Sequence, residues 1–245
     1  MNPENYRLLS MNERLRLESM TEANILNGLT EAVDATMEWL NTPQAREYFF
    51  NRQGQLNQFY RESGIHDKWQ QIIEARAATG ADIAEQVYTY ARSINSPEGL
   101  VEFTSRERQI LNGICDNQYE LVRNVTSAEV QGIRRSILED VAAGVNPRQT
   151  SLRNVQLEPI NGMSPEQRAV TIARTETATI TNTATLNQYQ RDGIEMVELV
   201  PAGNCCEECE EIAAAPIPIE EAMGLTCIHP NCRCAWRAVV PGFNR

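Results

Sequence analysis

The chain has 245 residues, of which 42% are hydrophobic, so it carries enough apolar side chains to form a buried core. Its 22 Lys and Arg residues against 33 Asp and Glu residues give a net charge of −11, which argues against general electrostatic capture of DNA. No run approaches the roughly 18 apolar residues that span a bilayer, and residues 1–16 lack the apolar core of a signal peptide. We therefore expect neither a membrane span nor secretion.

The first two-thirds of the chain shows apolar residues at helical spacing, in four stripes that are each about one helix face wide. The stripes consist of Ile25, Leu29, Val33 and Met37; Ile83, Val87, Tyr90 and Ile94; Ile110, Ile114, Leu121 and Val125; and Ile133, Ile137 and Val141. The fourth helix is predicted to begin at Thr126, which can form a capping box with Glu129. Because each apolar face needs a partner, residues 1–145 are predicted to form a helical bundle or an elongated helical arm.

A change in composition follows, since residues 146–163 contain glycine, proline and few apolar pairs and are predicted to be a linker. Ser164 and Pro165 then form a good helix start. The threonine-rich segment 177–185 alternates with period two, as in a strand, but it also fits a helix face, and the capping residue favours the helix.

Two further segments, 194–200 and 235–240, are predicted to be strands. The expected fold is mainly α: an N-terminal helical bundle or arm, followed over residues 164–245 by a small α+β domain. That domain would consist of a helix, short antiparallel strands and zinc-knuckle loops between them.

Six of the seven cysteines, and one of the two histidines, lie between positions 205 and 234. Cys206 and Cys209 are separated by two residues, and so are His229 and Cys232. This spacing lets a tight turn direct both donors at one ion, and two such pairs about 20 residues apart are typical of a structural zinc site.

The choice of four ligands stays open at the level of the sequence. Cys234 competes with Cys232, since a Cys-x-Cys pair can also chelate, and Cys205 could replace Cys206. Cys227 is the least supported candidate ligand among these cysteines.

A redox Cys-x-x-Cys motif is the first alternative. The residues around Cys209 are Glu207, Glu208, Glu210 and Glu211, and their charges favour a protonated, poorly nucleophilic thiol. A divalent cation would offset the same charges, so the acidity favours a metal. A catalytic zinc would need a general base and an open position, and no His-x-Glu element is present, so we expect a structural metal and no enzyme activity.

Two motifs combine in the C-terminal third. Arg174, Thr175 and Glu176 follow Ala173 in the predicted helix, with Asn182 further along it, and the cysteine segment ends in His-Pro-Asn-Cys-Arg-Cys at 229–234. Together with the Cys206-x-x-Cys209 pair, they resemble the phage head morphogenesis family, the Mu F-like minor capsid proteins of tailed bacteriophages.

The resemblance implies a minor head protein, associated with the portal vertex, that acts in head assembly, DNA packaging or DNA delivery. Its implied partners are the portal protein and, as further candidates, the major capsid or scaffolding protein, while contact with DNA stays open. Its implied location is the virion, in the capsid interior or at the portal vertex, and the host cytoplasm during assembly.

Under this resemblance, residues 1–145 would bind the portal or capsid, and residues 164–245 would be the head morphogenesis domain with its zinc. A structural motif of that domain would consist of Arg174, Thr175, Glu176 and Asn182.

Two other functions stay in consideration. One is a metal-dependent hydrolase, a nuclease or cell-wall enzyme carried in the virion. The other is a protein ejected with the DNA.

Overall fold

The computed structural model describes residues 7–45, 62–96, 102–143, 162–203 and 205–240. Long helices make up most of this part of the chain. They are α1 (Met11–Leu40), α2 (Ile65–Ser93), α3 (Ser105–Ala142) and α4 (Pro165–Arg191). The elements after α4 are short: β1 (Met196–Val200), α5 (Glu207–Ile212), β2 (Ile217–Pro218), α6 (Ile219–Ala222) and β3 (Ala235–Ala238).

The strands form an antiparallel sheet in the order β2-β1-β3. In the central pairing, Leu199 of β1 lies opposite Trp236 of β3. The two strands predicted at 194–200 and 235–240 are therefore present, with slightly shorter bounds, whereas the two-residue strand β2 was not predicted. The predicted fold class, mainly α with a small C-terminal α+β part, is confirmed.

The helix start predicted at Thr126 is wrong, because α3 runs without interruption from Ser105 to Ala142. The two side chains that would form the capping box are used in tertiary contacts instead. Thr126 is buried beside Gly28, where a Cβ atom would lie 3.3 Å from the threonine side chain. Glu129 is also buried and accepts a hydrogen bond from Arg168.

Helix α4 confirms the helical interpretation of the threonine-rich segment. Its first turn has the predicted capping box, in which the Gln167 N–H donates to Ser164 Oγ at 3.2 Å and the Ser164 N–H donates to Gln167 Oε1 at 3.0 Å. Several threonine hydroxyls donate to the carbonyl four residues earlier, so they are satisfied within the helix. These are the hydroxyls of Thr175, Thr179, Thr181 and Thr183.

The contacts divide the chain into two compact units, whose boundaries fall within the long helices. The helical unit comprises Ala23–Gly80 and Gln118–Ala169. Its core is built from buried side chains of α1, α2 and α3, with the indole N–H of Trp69 donating to Thr36 Oγ1 at 3.1 Å.

The cysteine unit comprises Met1–Glu22, Ala81–Asn117 and Val170–Arg245. It therefore includes segments that the sequence prediction assigned to the N-terminal helical region. Most of the predicted linker, residues 146–163, lies outside the described residues. No helix in the described ranges is both long enough and apolar enough to cross a membrane.

The cysteine unit has two apolar clusters. One lies among α1, α2, α3 and α4 and includes Leu17, Val87, Tyr88 and Ile180. The other surrounds the sheet and is formed by Leu186, Tyr189, Val197, Leu199 and Trp236, together with three buried cysteines. The second cluster positions the candidate site.

Candidate metal centre

The first pair of donors lies at the start of α5. Cys206 is the residue that precedes the first turn of this helix, with extended backbone angles, and Cys209 is the third residue within it. The Glu210 N–H donates to the Cys206 carbonyl at 3.1 Å, which closes the turn. Cys206 is exposed, whereas Cys209 is fully buried. The predicted tight turn is therefore the first turn of a short helix.

The second pair lies on a β-turn that runs from His229 to Cys232. The Cys232 N–H donates to the His229 carbonyl at 3.0 Å, Pro230 occupies the second position, and Asn231 has a positive φ of 65° at the third. Proline followed by a residue with positive φ is typical of a type II turn, and asparagine tolerates this backbone region better than most residues. Cys234 lies two residues after Cys232 and directly precedes β3.

These elements bring five donors together in two overlapping groups. Cys206, Cys209 and His229 form one group, and Cys209, Cys232 and Cys234 form the other. Within each group the ligand atoms lie within 4.8 Å of one another. Cys209 belongs to both groups and is therefore the centre of the cluster.

The spacing of the donors fits a small tetrahedral ion. Cys209 Sγ lies 3.9 Å from Cys232 Sγ and 3.3 Å from His229 Nε2. Two sulfurs bound to one zinc at about 2.3 Å each would be about 3.8 Å apart in a tetrahedron, and a sulfur and a nitrogen slightly less.

The imidazole of His229 also has the orientation that a ligand needs. Its Nδ1 lies 2.8 Å from the Pro230 carbonyl oxygen, and a carbonyl only accepts hydrogen bonds, so Nδ1 carries the proton. In the neutral tautomer that this bond selects, Nε2 is the acceptor nitrogen, and it faces Cys209. Metal-binding histidines commonly donate their second ring N–H to a carbonyl in this way. The residues present therefore fit a zinc ion.

The electrostatic environment of Cys209 also favours a bound cation. Burial raises the pKa of this thiol, and hydrogen bonds with Cys206 and Cys234 raise it further. A thiol in this setting keeps its proton unless a cation replaces it. The sequence analysis expected carboxylates such as Glu207 and Glu208 to keep this thiol protonated. Their side chains are exposed, and the neighbouring thiols raise the pKa instead.

The other two cysteines of the segment lie outside both groups. The Cys227 thiol donates to the His229 carbonyl at 3.3 Å, so it supports the backbone of the turn. The Cys205 thiol lies 3.9 Å from Glu210 Oε1. Two family-motif residues form hydrogen bonds with the ligand-bearing segment: Asn182 donates to the Thr226 carbonyl, and Thr175 accepts from the Asn231 N–H. Burial raises the pKa of Cys227, and the charge of Glu176, a third motif residue, raises it further. Arg174 is half-buried, and its Nε has no hydrogen-bond partner among the described residues.

One connection to the cluster was missed by the sequence analysis. Arg233, between two of the donors, donates through Nε to Glu18 Oε1 at 3.0 Å, and Glu18 is only 6% exposed. Arg14 in turn donates to the Arg233 carbonyl. These partners are more than 200 residues apart in the chain, and no local pattern pairs them.

Residues 131–237 match the model of a protein family that is described as "Phage Mu protein F like protein". The resemblance seen in the sequence is confirmed. The Mu F-like match covers less than half of the chain, and it includes all five donors of the cluster as well as α4. None of the curated proteins and none of the solved structures matches the chain. The match suggests a phage head morphogenesis protein.

Proposed function

We propose that the protein is a minor head protein of a tailed phage that acts at the portal vertex in head assembly, DNA packaging or DNA delivery. The observation that carries this proposal is the Mu F-like match over residues 131–237.

We further propose that zinc bound to the cluster is structural. The two groups contain only cysteine and histidine donors, and Cys209 lies in the apolar cluster around the sheet. A catalytic zinc keeps one position open for water beside a general base. Here enough donors are present to fill all four positions. The strands are two to five residues long, so a bound ion would hold together a sheet that buries little area on its own.

The ligand set that we propose is Cys206, Cys209, His229 and Cys232, which draws on both groups through their shared member Cys209. The two donors of each pair lie at the two ends of one turn, and the 3.9 Å between Cys209 Sγ and Cys232 Sγ is close to the tetrahedral value. In this set, Cys234 would stay a buried thiol that is not a ligand, directly before β3. When bound, zinc would supply a fixed crosslink between α5 and the His229–Cys232 turn.

The proposed partner is the portal protein, with contacts from the helices of residues 1–145. Outside those helices, the surface charge of the cysteine segment argues against DNA as a partner. The segment 192–232 contains no Lys or Arg, and the carboxylates Glu207, Glu208, Glu210 and Glu211 are all exposed. Such a surface repels the phosphate backbone and complements basic protein surfaces.

Two measurements test the proposal. Elemental analysis of the purified chain should find about one zinc per molecule, and finding none would refute the metal site. The chain should co-sediment with purified portal protein and be present in procapsids and virions of the phage that encodes it. Co-sedimentation with the major capsid or scaffolding protein instead would refute the portal contact. Loss of the chain from capsids after DNA release would favour the ejected-protein function.

A further inference from the structure

Asn182, on α4, holds both ends of the segment that carries the second pair of donors. Its side chain is only 4% exposed. Its Nδ2 donates to the Thr226 carbonyl at 2.8 Å and to the Cys234 carbonyl at 3.1 Å. These two carbonyls flank the residues from Cys227 to Arg233. One amide group therefore fixes the distance between the two ends of the loop.

Thr175, two turns earlier on the same helix, holds the middle of the loop. Its Oγ1 accepts a hydrogen bond from the Asn231 N–H at 3.0 Å, and Asn231 is the residue with positive φ in the turn. The Asn231 side chain also reaches Thr171 Oγ1 at 3.4 Å. Residues 171, 175 and 182 are spaced by four and seven positions, so they lie on one face of α4.

None of these helix residues is a donor in the cluster, and neither threonine nor asparagine is a usual zinc ligand. What they share is contact with the backbone of the loop that presents His229, Cys232 and Cys234. A loop whose backbone is already fixed has fewer torsions left to order when the ion binds, so the ion binds more tightly.

We propose that Thr175 and Asn182 are positioning residues, which hold the loop in its ligand-presenting conformation before the metal arrives. This inference rests on the proposed zinc site. It gives these two residues of the family motif a physical role: helix α4 acts as a template for the second half of the metal centre.

The test compares zinc affinity among variants by competition with a chromogenic chelator. Thr175→Val removes the hydroxyl at nearly constant volume, and Thr175→Ser retains it. Thr183→Val is the matched control, because Thr183 lies on the same helix and, within the described ranges, its hydroxyl donates only to the carbonyl of Thr179, at 2.7 Å. Asn182→Leu removes the two donors to the loop.

We expect Thr175→Val and Asn182→Leu to weaken zinc binding by about 10-fold or more, as loss of supporting hydrogen bonds at metal sites does. Thr175→Ser and Thr183→Val should bind within about 2-fold of the unaltered chain, since each keeps the contact with Asn231. Absorption spectra of the Co²⁺-loaded chains should change in the same two variants, because the ligand geometry relaxes.

Equal affinity of Thr175→Val and the unaltered chain would overturn the inference. So would an equal loss in Thr183→Val, since helix destabilisation would then explain both. If Asn182→Leu fails to fold, the threonine variants alone decide. Absence of zinc from the unaltered chain would refute the proposed metal site itself, and this inference with it.

Discussion

Nε2 of His229 lies 3.3 Å from Sγ of Cys209, although 20 residues separate the two in the chain. The contact joins the first turn of α5 to the β-turn before β3, and it places an imidazole nitrogen beside a buried sulfur. This relationship underlies the proposed metal centre.

Replacing Cys209 should remove the metal, because Cys209 is the donor common to both groups. In Cys209→Ser we expect zinc to fall from about one ion per chain to near zero, with loss of folding energy on the order of 10 kcal/mol in the cysteine unit. Elemental analysis and limited proteolysis would show this. Cys227→Ser is the control, since its thiol contacts a carbonyl and lies outside the groups. A Cys209→Ser chain with full zinc content would contradict the assignment.

Cys232 and Cys234 are expected to differ. Cys232→Ser should lose zinc, whereas Cys234→Ser should retain about one ion per chain, because the proposed set already fills four positions. The Co²⁺ spectrum, whose charge-transfer intensity rises with the number of bound thiolates, would show three thiolates in both the unaltered chain and Cys234→Ser. The reverse pattern would mean that Cys234 is the fourth ligand.

The ion pair between Arg233 and Glu18 should stabilise the cysteine unit. Glu18 is nearly buried and Arg233 bonds it through two nitrogens, so a double-mutant cycle with Glu18→Gln and Arg233→Gln should give a coupling of about 1–3 kcal/mol. Urea unfolding of the zinc-loaded chain would measure it. The exposed pair Arg123 and Glu120 serves as the comparison, for which we expect little coupling. Equal coupling in the two cycles would count against a special role of Arg233.

Two glycines should respond in opposite directions to alanine. Gly113 lies in α3 with nothing near its missing Cβ, so Gly113→Ala should stabilise the protein by about 0.5–1 kcal/mol through helix propensity. At Gly80 in α2, a Cβ would lie 2.7 Å from Val122 Cγ2, so Gly80→Ala should destabilise it by about 1–3 kcal/mol. Thermal denaturation distinguishes the two. A stabilising Gly80→Ala would show that α2 and α3 can separate at little cost.

The buried carboxylate of Glu107 should make stability depend on pH in the acid range. Burial by itself would raise its pKa, but hydrogen bonds from Thr104 and the charges of Arg92 and Arg191 hold the pKa below its ordinary value. A lowered folded-state pKa contributes stability that is present above the unfolded-state value of about 4.3 and is lost as the pH falls below it.

Glu107→Gln should therefore be less stable than the unaltered chain at pH 7, and the difference should narrow below about pH 4. Urea unfolding at several pH values measures this. A difference that stays constant down to pH 3 would mean that the charge of Glu107 contributes nothing.

Much of the fold was predictable because its signals are local. Apolar spacing around Ile25, Ile83 and Ile133 marked long helices, and the Ser164 cap identified α4 in spite of its alternating threonines. Local signals failed at Thr126, where burial beside Gly28 outweighed a good capping pattern. The two-residue strand β2 carries too few residues for any periodicity.

The sequence by itself determined the kinds of donor and their pairing in turns, because a spacing of two residues fixes the geometry within a turn. It also determined the resemblance to Mu F-like proteins. Only the tertiary structure decided that Cys209 is central, that Cys205 and Cys227 lie outside the groups, and that Arg233 reaches Glu18. These relationships depend on how separate segments pack, and the distance along the chain says nothing about which of them meet in space.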